Sequence, residues 1–317
     1  SAYDNTIVTG KIGLGSKNDC GYFDNVCVSG QASPPPTTDL HLTYHQIDAS
    51  SFPEIHSYVT ITDGNGQFVT GLTESHFTVM EDGMTESPIT VTPLGSTSEP
   101  ITVALVIDRS GSMGGTPLRD AKQAASIFVD QLTASDKAAV ISFGNQVTVN
   151  QGFTSDKTLL KNAINSLGAG GGTAHYDAVS QDISLIQTIQ GRKAVVTLTD
   201  GDDNQSTSSL NQCCTEAQNA ALPVFAIGLG SVVEQPLRQL ASNTGGQYYH
   251  APSSSELIQI YQRISSSIQN QYKITYTTHN TAHDCSNRQV SITVTYQSDS
   301  DIKHKSYAAP CVAGTEI

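Results

Sequence analysis

Residues 101–112 read Ile-Thr-Val-Ala-Leu-Val-Ile-Asp-Arg-Ser-Gly-Ser. The first seven carry no charge, are rich in β-branched side chains and have the length of a strand buried on both faces. Such strands are typical of parallel sheets that are covered by helices. Asp108, Ser110 and Ser112 follow directly, at alternate positions. This stretch therefore predicts a fold class and, at its end, a group of oxygen-bearing side chains.

The same alternation of apolar strands and helices continues around this stretch. Further strands are predicted at 138–143, 194–198 and 224–227. Helices are predicted near 117–132, 156–167, 174–189, 207–221, 234–242 and 254–269. Strands that alternate with helices of this length indicate crossover units. We therefore predict an α/β domain over residues 99–270, with a doubly wound, mostly parallel sheet and helices on both faces.

Both flanks of this domain have a period of two, which predicts half-buried strands. Residues 39–98 contain Tyr-Val-Thr-Ile-Thr at 58–62, and residues 271–317 contain Val-Ser-Ile-Thr-Val-Thr-Tyr at 290–296. We predict that the two flanks pair as the first and second parts of one immunoglobulin-like β-sandwich. The α/β domain would then be an insertion in that sandwich.

The amino-terminal segment is predicted to be a separate β-strand remnant or arm over residues 1–31. A proline-rich linker over 32–38 follows it. The run Gly-Leu-Gly-Ser at 13–16 with Tyr-Phe-Asp-Asn-Val-Cys-Val at 22–28 resembles the end of a laminin-G-like or concanavalin-like jelly roll. The resemblance implies strands without their own sheet, which could assemble by adding to an exposed sheet edge.

Composition limits the classes of partner. The formal charge of −13 argues against nucleic acid, whose binding depends on Lys and Arg neutralising phosphates. No run of about 18 apolar residues occurs, so the sequence predicts no membrane span. The sequence begins at Ser1 without an initiator Met, which we interpret as a processed or excised product. We expect a secreted, extracellular or cell-surface location.

The six cysteines fall into three local groups. Cys20 and Cys27 could staple a hairpin, and Cys285 and Cys311 could join two strands near the carboxyl terminus. Disulfides in both pairs are consistent with an oxidising compartment. The adjacent pair at 213 and 214 fits either a vicinal disulfide or two free thiols.

Five oxygen-bearing side chains are predicted at the carboxyl ends of strands or at the starts of helices. Asp108, Ser110 and Ser112 end the first strand, Thr173 follows three glycines before a helix, and Asp200 ends another buried strand. Ligands of open α/β sheets collect at the carboxyl ends of strands. Hydroxyl and carboxylate oxygens suit a hard cation, so the sequence predicts a site for Mg²⁺ or Ca²⁺.

This pattern is specific to one family. Asp-x-Ser-x-Ser, a later Thr after glycines and an Asp-Gly at a strand end together resemble the metal-ion-dependent adhesion site of von Willebrand factor A domains. All five positions match in family order. The resemblance implies that Ser110 and Ser112 ligate the metal directly and that Thr173 does so when a partner is bound. It implies that Asp108 and Asp200 act chiefly through water.

Because the hydroxyl ligands are neutral, they leave most of the charge of the ion uncompensated, and Mg²⁺ keeps exchangeable waters. One of these water positions faces solvent, and a carboxylate of a partner is the ligand best suited to replace that water. We therefore expect a metal-dependent adhesion or protein-binding module whose partner, a protein ligand or a neighbouring subunit, presents Asp or Glu. The alternative is a structural subunit of an extracellular filament, sheath or surface layer that self-assembles through its amino-terminal strands.

Enzymatic activity is not expected. The sequence lacks a Gly-x-Ser-x-Gly elbow, a His-Glu-x-x-His motif and a phosphate loop.

Asp202 and Asp203 follow the predicted metal site and fit either a solvated loop or a second cation site. The segment at 63–72 together with Phe-Thr-Val-Met-Glu-Asp-Gly at 77–83 resembles secreted bacterial proteins of the A-domain-related group, whose partners vary.

Overall fold

The computed structural model describes residues 39–96 and 99–311, which belong to one compact unit. The predictions for residues 1–38, including the arm, the linker and the Cys20–Cys27 pair, lie outside the described residues. The strands before the α/β unit are β1 (His41–Asp48), β2 (Glu54–Thr62), β3 (Phe77–Glu81), β4 (Met84–Thr85) and β5 (Ile89–Pro93). The strands of the α/β unit are β6 (Ile101–Asp108), β7 (Lys137–Phe143), β8 (Val147–Thr154), β9 (Arg192–Thr199), β10 (Val224–Leu229) and β11 (Tyr248–Ala251).

The α-helices of this unit are α1 (Thr116–Gln131), α2 (Lys157–Ser166), α3 (His175–Ile186), α4 (Leu210–Asn219), α5 (Glu234–Thr244) and α6 (Leu257–Gln269). The strands after it are β12 (Tyr272–Thr277), β13 (Asn287–Tyr296) and β14 (Asp299–Ala308). No helix within the described ranges is long and apolar enough to cross a membrane.

The α/β unit is built on a sheet in the order β11-β10-β9-β6-β7-β8, in which β8 is antiparallel and the other strands are parallel. Strand β6 is buried along its whole length. Its Val103, Leu105 and Ile107 pack with α1, α2 and α6, whereas Ala104 and Val106 pack with α3 and α4 on the opposite face. The predicted α/β fold with helices on both faces of a mixed, mostly parallel sheet is confirmed.

Two strands of this sheet were not expected from the sequence. Strand β8 is an edge strand in which no residue is fully buried, and its polar residues and Gly152 give no clear period. Strand β11 has only four residues, of which one is buried. Edge strands lack the continuous apolar run that identifies the central strands, which is why the prediction missed both.

The segments on either side of the α/β unit form two four-stranded sheets, in the orders β1-β2-β12-β5 and β14-β13-β3-β4. Strand β12 lies between β2 and β5, and β13 lies between β3 and β14, so each sheet contains strands from both flanks. One apolar core is shared by the two sheets, with Ile55 and Ile274 from one and Val79 and Ile292 from the other. We call these two sheets the flanking β-region. Its assignment as immunoglobulin-like stays a prediction.

Polar side chains join the flanking β-region to the α/β unit. Gln46 donates from Nε2 to the Gly191 carbonyl (2.8 Å) and accepts from the Lys193 backbone N–H (3.0 Å). The buried Arg192 donates from Nη2 to the Ile268 carbonyl (2.6 Å) at the end of α6. A buried polar group that is left unpaired costs free energy. These bonds therefore fix how the flanking β-region contacts the α/β unit.

The cysteines among the described residues include one disulfide pair and two free thiols. Cys285 and Cys311 form the predicted disulfide, close to the end of β14. Cys213 and Cys214 are buried free thiols on α4, so the free-thiol alternative is the one that the structure adopts. Burial raises the pKa of Cys213 to about 11, which keeps it protonated and unreactive at neutral pH.

A buried charged network lies inside the flanking β-region. The Glu81 carboxylate, which is fully buried, accepts from Tyr276 Oη (2.8 Å), Thr278 Oγ1 (2.5 Å) and Tyr307 Oη (3.1 Å). Arg288, 1% exposed, places its Nη1 3.9 Å from Glu81 Oε1 and supplies the positive charge. The same guanidinium donates to two backbone carbonyls and to Asp284 in the 280–284 segment. Arg288 thus ties this segment to the core of the region.

We expect Arg288→Met to lower the free energy of unfolding of the flanking β-region by about 3–5 kcal/mol, because Glu81 keeps a buried charge without its cation. Denaturant unfolding measures this cost, with the exposed Arg263→Met as the control that stays within about 0.5 kcal/mol of the wild type. Adding Glu81→Gln to Arg288→Met should recover part of the loss, since it removes the unpaired charge. A cost below about 1 kcal/mol for Arg288→Met would contradict this account.

Candidate metal site

The five predicted site residues lie at one edge of the central sheet. Strands β6 and β9 are adjacent and parallel, with Ile107 opposite Leu198, so Asp108 and Asp200 leave the sheet at the same end. The loop after β6 carries Ser110 and Ser112, and the glycine loop before α3 carries Thr173. The structure therefore brings the five positions together, as expected for ligands at the carboxyl ends of parallel strands.

Asp108 is the buried anchor of the site. Its side chain is fully buried and accepts from the Ser110 backbone N–H (Oδ1, 2.7 Å) and from Thr199 Oγ1 (Oδ2, 2.7 Å). Burial raises the pKa of this carboxyl, and the hydrogen bonds from Thr199 and Ser110 oppose that rise. Both carboxylate oxygens are therefore committed to protein donors, which fixes the first turn after β6.

The two serine hydroxyls and Asp200 form a compact group of oxygens. Ser110 Oγ lies 3.0 Å from Ser112 Oγ, and Ser112 Oγ donates to Asp200 Oδ1 at 2.8 Å. Ser110 Oγ lies 3.4 Å from the same carboxylate oxygen. Ser110 is buried, whereas Ser112 is exposed and Asp200 is half-buried. The group therefore opens to solvent on the side of Ser112 and Asp200.

Backbone hydrogen bonds hold the glycine loop against the loop after β6. The Gly111 N–H donates to the Gly171 carbonyl (2.9 Å), and the Gly170 N–H donates to the Arg109 carbonyl (2.7 Å). Gly171 has a φ of +88°, a conformation that favours glycine. Thr173 is buried, and a Cβ added to Gly201, the residue after Asp200, would lie 3.6 Å from Thr173 Oγ1. The Thr173 hydroxyl thus lies beside the Asp200 turn.

Three residues that support the site were not singled out by sequence reasoning. Thr199 holds Asp108, Asn204 Oδ1 accepts from the Thr173 N–H (3.0 Å), and Asn145 Oδ1 accepts from the Gly172 N–H (2.5 Å). Thr199 carried a usable signal, because it is a polar residue at the end of a largely apolar run and directly precedes Asp200. The two asparagines lie in loops, where this residue type is common, and their sequence gave no such signal.

The distances between these oxygens can be compared with the distances between the ligands of a small cation. Mg²⁺ binds oxygens at about 2.0–2.1 Å in octahedral geometry, which places neighbouring ligand oxygens about 2.9 Å apart. The separation of 3.0 Å between Ser110 Oγ and Ser112 Oγ, the two proposed direct ligands, matches that spacing. Asp200 Oδ1 lies 2.8 Å from Ser112 Oγ, beside them. The residues present are hydroxyls and carboxylates, the donors that hard cations prefer. They therefore fit Mg²⁺, and they would also serve Ca²⁺ after a modest expansion.

The acidic residues after Asp200 have a different role. Asp203 accepts through Oδ2 from the Tyr176 N–H (2.9 Å) and from Ser206 Oγ (2.6 Å), and through Oδ1 from the Ser206 N–H (3.0 Å). It therefore holds the start of α3 against the loop. Among the described residues no group of three or more His, Cys, Asp or Glu side chains is arranged to hold a metal ion. These contacts favour the loop alternative for 202–203 over a second cation site.

Comparison with known proteins gives the family. The von Willebrand factor type A domain profile matches residues 102–263, half of the chain. The chain belongs to the von Willebrand factor type A family. Domains of this family are adhesion and protein-binding modules.

Relatives and solved structures agree with this assignment. An uncharacterized protein of Synechocystis, sll0103, is 30% identical over 176 residues, which cover 51% of this chain and 41% of that protein. The chain thus spans less than half the length of this relative. A von Willebrand factor type A structure from Catenulispora acidiphila matches 90% of this chain and 76% of its own, with 16% identity and a TM-score of 0.51.

A third match carries a metal at its adhesion site. Proximal thread matrix protein 1 from the mussel byssus, solved with a zinc-occupied MIDAS motif, has a TM-score of 0.52 and 20% identity. The match covers 61% of this chain and 50% of that one. At these identities the two structures show a shared fold.

We expect Gly144→Ala to destabilise the site. A Cβ at Gly144 would lie 2.6 Å from the Gly170 carbonyl oxygen, so the glycine loop before Thr173 must move. Overpacking of this kind costs about 1–3 kcal/mol, which denaturant unfolding of the metal-free chain measures.

The matched control is Gly168→Ala in the loop between α2 and α3 that carries Gly170, where a Cβ would meet nothing within 4 Å. Gly168→Ala should leave the free energy of unfolding within about 0.5 kcal/mol of the wild type. Equal effects of the two substitutions would show that the close approach at Gly144 does not constrain the loop.

Proposed function

We propose that this domain is an extracellular binding module in which a divalent cation captures a carboxylate of a partner protein. Ser110, Ser112 and Thr173 would hold the ion through hydroxyl oxygens, and Asp108 and Asp200 would support it, chiefly through water. The observation that carries the proposal is the convergence of these side chains on one solvent-facing point, with Ser110, Ser112 and Asp200 within 3.4 Å of one another.

The charge of the site explains why a partner carboxylate is favoured. Both oxygens of Asp108 accept hydrogen bonds from the protein, and its side chain is fully buried. The remaining donors at the opening are neutral hydroxyls and one carboxylate, Asp200. A bound divalent cation would supply Lewis acidity, and its direct protein ligands, the hydroxyls, would leave its charge uncompensated at the position that faces solvent. An incoming Asp or Glu side chain would complete the ligand set and balance that charge.

We also propose that the domain is not catalytic. His175, the histidine closest in sequence to Thr173, is buried with Nε2 bonded to Thr197 Oγ1 (2.9 Å). Burial lowers the pKa of His175 to about 4, so it stays neutral and is committed to a structural contact. Asp108 is fully buried and already accepts a hydrogen bond on each oxygen, which favours a supporting role over that of a general base.

We expect Asp200→Asn and Ser112→Ala to weaken Mg²⁺ binding at least about tenfold, because each removes an oxygen or a charge from the site. In the wild type, Mg²⁺ at about one hundred times its dissociation constant should raise the free energy of unfolding by about 2.7 kcal/mol. Calorimetric titration and thermal unfolding with and without EDTA measure both effects.

The matched control is Asp299→Asn in the β13–β14 hairpin, which removes one negative charge outside the site. It should bind Mg²⁺ like the wild type, and all variants should keep the same circular dichroism spectrum. Binding of Mg²⁺ that survives Asp200→Asn and Ser112→Ala together would refute the assignment of these ligands.

A structural role in an extracellular assembly is the second candidate. Strand β8 ends the central sheet, and within the described ranges no strand pairs with its outer side. Val149 of this strand is exposed. An open edge of this kind can accept a strand from a neighbouring subunit. The match to a byssus thread matrix protein is consistent with such a role.

If assembly is the function, the full chain should form oligomers at high concentration, as measured by light scattering after size-exclusion chromatography. Val149→Lys should reduce them, because a charge on an edge strand opposes pairing. Assembly that instead requires Mg²⁺ and is lost in Asp200→Asn would mean that the neighbouring subunit supplies the carboxylate. A monomer under all conditions would exclude this candidate.

A further inference from the structure

A cavity of about 220 Å³ adjoins the candidate metal site. One wall is the loop after β9, with Gly201 and Asp202, and the opposite wall is formed by Val232, Pro236 and Leu237 around the start of α5. Gly201 directly follows Asp200 and lies beside Thr173 Oγ1. A partner residue that reaches the metal site would therefore place its neighbours at the mouth of this cavity.

The size of the cavity indicates what it can hold. Small-molecule pockets measure about 300–1,000 Å³, so a cavity of about 220 Å³ is better suited to a single side chain. Val232 and Leu237 are buried and apolar and form the inner wall. The inner part of the cavity therefore fits an aliphatic stem.

The mouth of the cavity carries uncompensated negative charge. Asp202 is exposed and makes no hydrogen bond or ion pair with another described residue. Asp203 accepts from backbone N–H groups and the Ser206 hydroxyl but from no cation within the described part of the chain. Tyr176 also lines the cavity, beside Asp202 and Asp203. Burial raises the pKa of Tyr176, and the negative charge of Asp203 raises it further.

The cation on the facing helix does not neutralise these charges. Arg238 on α5 is bound to Glu234 through Nε (2.9 Å) and Nη2 (2.5 Å). Its guanidinium also lies 4.5 Å from the ring centroid of Tyr248. Arg238 is therefore committed to Glu234 and Tyr248, and the negative charge at the mouth remains that of Asp202 and Asp203.

We propose that this cavity is a second subsite that accepts a Lys or Arg side chain next to the partner carboxylate. The aliphatic stem packs on Val232, Pro236 and Leu237, and the cationic head reaches Asp202 at the mouth, as long basic side chains do on apolar surfaces with a polar rim. This inference rests on the proposed function of the metal site. It defines the partner as a protein segment that presents an acidic and a basic side chain close together.

The test uses synthetic peptides on a Gly-Ser background and the full chain in Mg²⁺ buffer. One peptide carries a single Glu, and the others add one Lys at each of the four positions on either side of it. A further peptide replaces the best Lys by norleucine, which keeps the stem and removes the charge. Fluorescence anisotropy gives the dissociation constants for the wild type, Asp202→Asn and Asp299→Asn.

We expect the best Lys position to bind about fivefold or more tightly than the Glu-only peptide, with most of this gain lost in the norleucine peptide. Asp202→Asn should lose the gain, whereas Asp299→Asn, with the same change in charge, should keep it. The inference is overturned if no Lys position improves binding or if Asp202→Asn and Asp299→Asn behave alike. In that case, the metal site would still be supported if the Glu-only peptide binds and EDTA abolishes its binding. If no peptide binds in a Mg²⁺-dependent manner, both proposals are overturned.

Discussion

The site depends on a carboxylate that is buried at the end of the central strand. Asp108 has no access to solvent, so hydrogen-bond donors of the protein must satisfy its charge. If those donors were absent, the buried carboxylate would cost several kcal/mol of stability. Thr199 from the neighbouring strand and the Ser110 backbone N–H provide them. The need to satisfy this one group therefore sets the direction in which the chain leaves β6, and with it the positions of the two serine hydroxyls.

The remaining parts of the site follow from that turn. Once the loop after β6 is fixed, its backbone bonds to Gly170 and Gly171 bring the glycine loop alongside, and Asn204 fixes the loop that carries Thr173. The site is thus assembled from three loops that are held largely by backbone, carboxylate and amide hydrogen bonds. The Ser110 and Ser112 hydroxyls bond to each other and to Asp200, so the oxygens that would hold the ion are already gathered before an ion or partner arrives.

Much of the α/β unit could be predicted because its central strands are buried on both faces. Such strands are continuous apolar runs, and the helices between them have lengths that sequence patterns detect. The edge strands β8 and β11 were missed because half-buried residues produce neither a continuous run nor a clean alternation. For the candidate site, the five oxygen-bearing residues were recognisable by type, order and placement at strand ends. The contributions of Asn145 and Asn204 were not recognisable. Tertiary packing decides which loop each side-chain amide contacts, and a single sequence does not show that packing.

The position of the α/β unit between the paired flanks has a consequence for the order of folding. Contacts within the α/β unit connect segments that are synthesised before residue 270, so this unit can fold while the chain is still emerging. Strand β2, made much earlier, must wait for β12 before its sheet is complete, and β3 must wait for β13. Such long-range pairing is slow because a large loop must close first. The folded α/β unit shortens that search, since it holds residues 101 and 269 in fixed positions and delivers the second flank to the first.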